Sequence, residues 1–353
     1  MATKQICICI PTVSVGGAER VVSILANHLV NEGYKISIVL LYDRVSFELD
    51  DKINIVKPPF ELQRNFKHLI GIVKYYRRTI KELNPDVIFS FLEFYNEIVM
   101  LSLIGIEKRI FLFDRNTPYL KEQNGFQKVL KKYFYPKADG VVVQTELSAK
   151  NIIKKGLNKN VKVLPNPIRK MSHQWAPSTK KTIVSVGSLE PQKNHQYLID
   201  IFAEINPKDW ELHIIGGGSL HDDLTSQIER SKAEEKIKLL GIQKNVPEIL
   251  SKSTIFAFPS LWEGFPNALL EALCVGVPCI SNDCHTGPSE LIQDNENGFL
   301  GELDNAQMFK DKLIRLMEDE SLRDKFSKNS KNIEAKYSTE KVSISLTDFV
   351  FNK

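Results

Sequence analysis

Short apolar runs alternate with longer amphipathic stretches through most of the chain. In the first half, each run rich in β-branched and aromatic residues precedes a segment whose apolar residues recur at helical spacing. This alternation is typical of parallel strands joined by crossover helices. The strands predicted here are QICICIP (5–11), YKISIVLLYD (34–43), DVIFSFL (86–92), KRIFLFD (108–114) and GVVVQT (140–145).

The pattern breaks at PNPIRKMSHQWAPSTKK (165–181), where three prolines and few apolar residues indicate a linker. It then resumes, which predicts an α/β fold of two Rossmann-like, doubly wound domains facing a central cleft. We place the domains at 1–170 and 171–335, with a separate C-terminal segment at 336–353. The strands predicted in the second half are KTIVSVG (181–187), WELHIIGGG (210–218), KIKLLG (236–241), STIFAFPS (253–260) and VPCISND (277–283).

Composition indicates an ordinary globular protein. The 353 residues are 42% hydrophobic and 25% charged, and the longest apolar runs are too short to span a bilayer. The first residues lack the apolar core of a signal peptide, so we expect an intracellular protein. The five cysteines form no C-x-x-C pair, and we expect them to be buried and reduced.

Charge is distributed unevenly between the two halves. Residues 1–170 contain 27 Lys and Arg against 16 Asp and Glu, whereas the remainder has 20 against 27. A net charge of +11 on the first half favours an anionic partner. The alternative is that these charges are simply solvated surface.

Three glycine-containing or basic loops follow predicted strands. Gly16 and Gly17 lie in TVSVGGAER (12–20), Lys193 in GSLEPQKN (187–194), and Gly217 in GGGS (216–219). Backbone N–H groups in such loops can approach a phosphate, and a lysine can neutralise it. Taken singly, Gly16-Gly17 is better explained as a tight turn and Lys193 as a surface residue, and GGGS is a weak signal.

The stretch EGFPNALLE (263–271) follows the predicted buried strand STIFAFPS. Pro266 suits the first position of a helix that would end at Gly276. Glu263 would then lie in the loop, and Glu271 in the helix. Periodicity alone favours Glu271 on the solvent side of that helix.

Taken in order, these motifs resemble the GT-B glycosyltransferases of family 4, which are retaining enzymes that use sugar nucleotides. The resemblance covers nearly the whole chain. Within this family, two segments are most similar to bacterial enzymes that extend lipid-linked oligosaccharides for O-antigen, capsule or glycan assembly. These segments are FSFLEFYN (89–96) and DRNTPYL (114–120). The motifs are GGAER, VVVQTELS, LPNPI, GSLEPQKN, GGGS, EGFPNALLEA and GPSELIQDNENGFL.

The resemblance implies a role for each glutamate and for the lysine. Glu271 would bind the ribose hydroxyls of the donor, and Glu263 the hydroxyls of its sugar. Lys193 would neutralise the diphosphate as it leaves, and Gly16 and Gly17 would permit close approach of donor and acceptor. The donor would also contact the backbone of Gly264, Phe265, Pro266 and Asn267.

Two positions depart from the family pattern. Ser188 stands where the family usually carries an arginine, so one of two expected diphosphate cations is absent. Arg115 stands where many relatives carry a histidine, and we expect it or another basic residue to compensate. No D-x-D triplet occurs in the chain. A metal is therefore not expected to hold the diphosphate. The retention that the resemblance implies favours a front-face reaction without a cofactor, with a UDP-linked nucleotide sugar as substrate.

The resemblance also implies partners. A polyprenyl-diphosphate-linked glycan would be the acceptor, and the basic stretches 63–83 and 128–137 would rest on an anionic membrane surface. We thus expect a peripheral protein on the cytoplasmic face of the plasma membrane. The alternative for both stretches is a crossover helix that packs an apolar stripe on the sheet.

The tail allows two interpretations. In relatives the last helix returns to the first domain, whereas the composition of VSISLTDFVF (342–351) favours a strand. Two other functions stay open at this point: a GT-B epimerase acting on a UDP-sugar, and a non-catalytic subunit that binds a nucleotide sugar or lipid.

Overall fold

A computed structural model describes residues 3–14, 16–59, 66–115, 125–231 and 233–352. The chain divides into two compact units. The first comprises Met1–Arg169 and Tyr337–Lys353, and the second comprises Lys170–Lys336.

The first unit is built on a seven-stranded, wholly parallel sheet of order β3-β2-β1-β4-β5-β6-β7. Its central strands β1, β4 and β5 are almost entirely buried, because helices cover both faces of the sheet. The strands are β1 (Gln5–Cys9), β2 (Lys35–Val39), β3 (Asn54–Val56), β4 (Val87–Phe91), β5 (Arg109–Asp114), β6 (Gly140–Val143) and β7 (Val161–Val163).

The second unit repeats the architecture with six parallel strands in the order β10-β9-β8-β11-β12-β13. Successive strands after β8 are added on one side of it (β9, β10), and β11 to β13 are added on the other side. The order of the strands therefore reverses between β8 and β11. This is the topological switch point at which ligands bind in open α/β sheets. The strands are β8 (Lys181–Val186), β9 (Trp210–Ile215), β10 (Ile237–Leu239), β11 (Ile255–Phe258), β12 (Cys279–Asn282) and β13 (Phe299–Gly301).

Helices follow most of the strands, as the alternation of patterns predicts. Those of the first half are α1 (Gly17–Asn31), α2 (Phe66–Leu83), α3 (Glu93–Ser102), α4 (Gly125–Phe134) and α5 (Glu146–Lys154). Those that follow are α6 (His195–Ile205), α7 (His221–Arg230), α8 (Val246–Lys252), α9 (Asn267–Val275), α10 (Pro288–Leu291), α11 (Ala306–Glu318), α12 (Glu320–Ser330), α13 (Ile333–Tyr337) and α14 (Thr339–Phe351).

The tail is a helix, so the strand favoured by the composition of VSISLTDFVF is wrong. Val342, Leu346 and Val350 recur every four residues and are buried in the core of the first unit. Ser338 caps the helix by accepting a hydrogen bond from the N–H of Lys341. Helical spacing of the buried residues therefore overrides their β-branched composition.

The doubly wound α/β class predicted from the sequence is confirmed by both sheets. The three-residue strand β10 was predicted, whereas the equally short β3, β7 and β13 were not, because such segments carry little periodicity. All five cysteines are free thiols, and Cys274 alone among them is only partly buried. Across the described ranges, no helix has the length and hydrophobicity needed to cross a bilayer.

Candidate functional site

The candidate site of the second unit lies at the carboxyl ends of β8 and β11, on either side of the switch point. The loop after β8 carries a 3₁₀ turn, Pro191–Lys193, and the loop after β11 runs into α9. Hydrogen bonds tie the two loops together. The N–H of Leu261 donates to the Gln192 carbonyl at 2.9 Å, and Gln192 Nε2 donates to the Trp262 carbonyl at 2.8 Å.

Lys193 and Glu263 form an ion pair across this junction. Lys193 Nζ lies 2.5 Å from Glu263 Oε1, and the two side chains are only 17% and 6% exposed. The lysine stem packs across Gly187, where a Cβ would meet its methylenes at 3.0 Å. Its ammonium lies 5.3 Å from the centroid of the Phe258 ring. These contacts fix the position of the Lys193 ammonium, whereas an ordinary surface lysine is free to move.

Glu263 is fixed by its backbone as well as by its carboxylate. Thr286, in the loop after β12, donates its hydroxyl to the Glu263 carbonyl. The same loop passes so close that a Cβ on Gly287 would collide with the Pro266 ring. Gly287 has a φ of 103°, which a larger residue would adopt only under strain. The loops after β8, β11 and β12 thus form one connected structure.

The glycines of GGGS serve packing between loops. A Cβ on Gly216 would collide with the Gly187 carbonyl oxygen, and one on Gly218 would reach the Leu189 backbone at 2.5 Å. The Gly217 carbonyl accepts from the N–H of Leu189 at 3.0 Å. Close contact between these two backbones brings Gly217 beside the loop that carries Lys193, as a shared phosphate site would require.

Helix α9 differs in two respects from the sequence prediction. It begins at Asn267, so Pro266 is the capping residue instead of the first helical one. Glu271 is only 7% exposed, so its assignment to the solvent side is wrong. The predicted end at Gly276 is confirmed, with a left-handed φ of 89°. Leu269 and Leu270 are buried beside Glu271 because the short α9 is covered on nearly all sides.

His195 was not singled out from the sequence, although it directly follows GSLEPQKN. It is 3% exposed, its Nδ1 lies 3.5 Å from Ser185 Oγ, and its Nε2 has no hydrogen-bond partner among the described residues. Burial and, to a lesser extent, the charge of Lys193 lower its pKa to about 4. The imidazole beside the lysine loop is therefore neutral at physiological pH.

In the first unit, Gly16 and Gly17 stand at the carboxyl end of β1. Gly16 precedes α1 with a φ of 146°, and Gly17 is the first residue of that helix. Thr12 donates to Glu19 at 3.3 Å just beside them, and burial raises the pKa of Glu19. The glycines therefore place a helix N-terminus at the edge of the sheet, as the sequence predicted.

Arg115 follows β5 at the same edge and is 8% exposed. Its Nη1 donates to Asn166 Oδ1 at 2.6 Å, and its guanidinium carbon lies 5.4 Å from the centroid of the Phe113 ring. Neither Nε nor Nη2 has a hydrogen-bond partner among the described residues. Burial lowers the pKa of Arg115 to about 9, which still leaves it charged at neutral pH. Residues 116–120 of DRNTPYL lie outside the described part of the chain.

A cluster of three carboxylates surrounds Lys131 next to Arg115. Lys131, on α4, pairs with Glu93 of α3 and with Asp114 of β5, the latter at 2.8 Å. Burial lowers the pKa of Lys131, but Asp114 and Glu93 outweigh this effect and raise it. Glu97, one turn beyond Glu93, is the third carboxylate. No sequence motif predicts this cluster, since its members come from three separate elements.

The chain matches two models of sugar-transferring enzymes. "Glycosyltransferase Family 4" matches residues 15–170, and "Glycosyl transferases group 1" matches residues 168–333. Together the matched segments contain each residue that the sequence predicted for the site.

Named relatives match the whole chain or part of it. The N-acetylgalactosamine-N,N'-diacetylbacillosaminyl-diphospho-undecaprenol 4-alpha-N-acetylgalactosaminyltransferase of Campylobacter jejuni is 30% identical, over 93% of this chain and 94% of that protein. The UDP-Gal:alpha-D-GlcNAc-diphosphoundecaprenol alpha-1,3-galactosyltransferase of Escherichia coli is 36% identical over 42% of this chain and 39% of its own. The solved lipopolysaccharide outer core galactosyltransferase WaaB superposes with a TM-score of 0.80 at 20% identity, over 99% of both chains. The chain belongs to the family 4 glycosyltransferases of the GT-B fold.

Proposed function

We propose that this glycosyltransferase moves a hexose or N-acetylhexosamine from a UDP-sugar to a hydroxyl of a lipid-linked oligosaccharide. The observation that carries the proposal is the Lys193–Glu263 pair, buried at the switch point of the second unit. A cation and a carboxylate fixed there match the two chemistries of a sugar diphosphate, which are anionic oxygens and hydroxyl groups.

Each residue of the second unit then has a role toward the donor. Lys193 binds the diphosphate, and Glu263 accepts hydrogen bonds from hydroxyls of the transferred sugar. Glu271 accepts from the ribose hydroxyls. The backbone of Gly264, Phe265, Pro266 and Asn267, which leads into α9, lies against the sugar and phosphate, and Gly217 admits the diphosphate close to the backbone.

We infer a front-face reaction with retention of configuration. The acceptor oxygen bonds to the anomeric carbon on the side from which the diphosphate departs, and the bond from that carbon to the phosphate oxygen breaks. The acceptor proton passes to the departing phosphate. Lys193 stabilises the charge that develops on this leaving group, so neither a protein general base nor a metal ion is needed.

Relatives support the assignment of acceptor and donor. The proteins from C. jejuni and E. coli are both named for acceptors built on diphospho-undecaprenol, and the latter also for a UDP-galactose donor. Arg115, a buried cation in the first unit, is the residue we assign to diphosphate binding in place of the arginine missing at Ser188.

A lipid-linked acceptor also favours attachment to the cytoplasmic face of the membrane. Helix α4 exposes Phe126, Val129 and Tyr133, which are 65%, 64% and 56% accessible. Lys128 and Lys132 are exposed on the same helix. Apolar side chains interleaved with lysines are suited to an anionic bilayer surface.

The donor assignment is tested by titrating UDP into Glu271→Ala. Loss of a hydrogen bond to a charged group costs about 1.5–3 kcal/mol, so UDP affinity should fall roughly 10-fold to 100-fold. Glu263→Ala should instead leave UDP affinity near normal and slow sugar transfer. Glu229→Ala, at an exposed site on α7, is the matched control. Isothermal titration showing unchanged UDP affinity for Glu271→Ala would overturn the ribose assignment.

A further inference from the structure

Arg115 is unusual because it is a buried cation that does not pair with the carboxylate next to it in the chain. Asp114 instead forms an ion pair with Lys131, with 2.8 Å between Oδ2 and Nζ. Among the described residues its hydrogen-bond partner is neutral, the amide oxygen of Asn166 at 2.6 Å. Among the described residues, no carboxylate forms an ion pair with this guanidinium.

Asn166 is itself held in place. Its Oδ1 also accepts from Gln144 Nε2 at 2.9 Å, so two donors converge on one oxygen. Arg115, Gln144 and Asn166 follow β5, β6 and β7, which are neighbouring strands of the sheet. The three residues therefore form a row along its carboxyl edge. The Phe91 and Phe113 rings lie 5.7 and 5.4 Å from the guanidinium carbon.

This arrangement leaves hydrogen-bonding capacity of the guanidinium unused, although the nearby charge of Asp114 acts on it. Nε and Nη2 are both buried and without a partner in the described part of the chain. A buried N–H that stays unpaired costs about 1–3 kcal/mol, and more on a charged group. Arginine presents these N–H groups in a planar fork that matches phosphate oxygens. A phosphate oxyanion would accept hydrogen bonds from both Nε and Nη2.

We propose that Asn166 and Lys131 are positioning residues that keep Arg115 free of carboxylates, so that it binds a phosphate or diphosphate group of the substrates. Asn166 fixes the guanidinium without neutralising it, and Lys131 occupies the carboxylate of Asp114. Since the two unpaired N–H groups are closed to solvent, the residues around them must open when the anion binds. The identity of the anion as a substrate rests on the proposed function.

Binding of inorganic pyrophosphate to the full chain tests this without requiring sugar transfer. The side-chain Nε–Hε resonance of Arg115, assigned by its absence from Arg115→Lys, should shift on titration in ¹⁵N-edited NMR spectra. The shift should persist in Lys193→Met, which lacks the donor-site cation. A resonance that saturating pyrophosphate leaves in place would overturn the proposal, even if the protein transfers sugar.

Two substitutions test the positioning residues. Asn166→Asp gives Arg115 a carboxylate of the same size, and Lys131→Met releases Asp114 toward it. Each should reduce the shift of the Arg115 resonance and weaken pyrophosphate binding at this site tenfold or more. Asn31→Asp and Lys154→Met, at exposed positions of the first unit, are the matched controls for charge. Full pyrophosphate affinity in both Asn166→Asp and Lys131→Met would show that the two residues are merely structural.

The phosphate source is distinguished by two further ligands. UDP carries the diphosphate of a donor, and geranyl diphosphate carries that of a prenyl-linked acceptor. The ligand that shifts the Arg115 resonance at the lower concentration in wild-type protein identifies which substrate Arg115 serves. Failure of both ligands, with pyrophosphate active, would contradict the assignment of the site to a substrate.

Discussion

Glu97 is a carboxyl group that the fold keeps protonated. It is 3% exposed, and neither of its oxygens has a hydrogen-bond partner among the described residues. Burial raises its pKa to about 8, and the charges of Glu93 and Asp114 add to this effect, whereas Lys131 opposes it. The phenol of Tyr135 also faces the cluster. At neutral pH the Glu97 carboxyl is therefore largely protonated beside the ion pairs of Lys131.

Replacing Glu97 with glutamine should make stability less dependent on pH. Between pH 4.5 and 8 the folded protein retains a proton that the unfolded chain has released, so stability falls as pH rises through this range. The slope for one proton is at most about 1.4 kcal/mol per pH unit. Glu97→Gln should therefore be more stable than wild type at pH 8, with the difference shrinking toward pH 5.

Urea unfolding at several pH values measures this effect. Glu107→Gln, at an exposed position before β5, is the control and should follow wild type throughout. The assignment is wrong if wild type and Glu97→Gln show the same pH dependence between pH 5 and 8.

At the scale of elements, α2 and α4 differ in how much of their apolar stripe is buried. Periodicity alone left open whether each stripe packs on the sheet or rests on a membrane. On α2, Ile72, Tyr75 and Tyr76 are buried in the core beneath the sheet, so this stripe is not available to a membrane. Residues 63–65 of the same predicted stretch lie outside the described ranges. On α4, Phe134 is buried, whereas Phe126, Val129 and Tyr133 are exposed.

We expect α4 to attach the protein to anionic vesicles. Attachment should weaken with salt, because basic residues near the surface contribute about 1 kcal/mol each. The triple variant Phe126→Ser, Val129→Ser, Tyr133→Ser should lose most of the binding in liposome flotation. Ile153→Ser, which alters an exposed isoleucine on α5, should bind as wild type. Equal flotation of the triple variant and wild type would exclude α4 as the attachment surface.

The sequence predicted elements well and side-chain partnerships less well. Strands such as β4 and β11 are continuous apolar runs, whose length and composition identify them directly. Glu263 and Lys193 can be singled out because both stand in loops after strands. They are 70 positions apart in the sequence, and their pairing depends on β8 and β11 being neighbours in the sheet. Glu271 was misplaced by periodicity because helical amphipathicity assumes one solvent face, which α9 lacks. Asn166 and Glu97 become recognisable only from what they contact.

At the scale of the whole molecule, charge and family membership favour the same substrate. The first 170 residues carry a net charge of +11. A lipid diphosphate on an anionic membrane is the kind of partner that this charge would attract. The second unit supplies the paired Lys193 and Glu263 that we assign to the donor. We therefore expect the protein to transfer a glycosyl group from a UDP-sugar to a lipid-linked glycan.

The most direct test is transfer of label from nucleotide sugar to lipid. Wild-type protein would be incubated with radiolabelled UDP-hexoses and UDP-N-acetylhexosamines, with and without undecaprenyl-diphosphate-linked glycans. We expect label in the lipid fraction only when acceptor is present, also with chelators added, and joined through an α-linkage if the donor is α-configured. Conversion of the donor to a different UDP-sugar without acceptor, and no label in the lipid, would contradict this expectation.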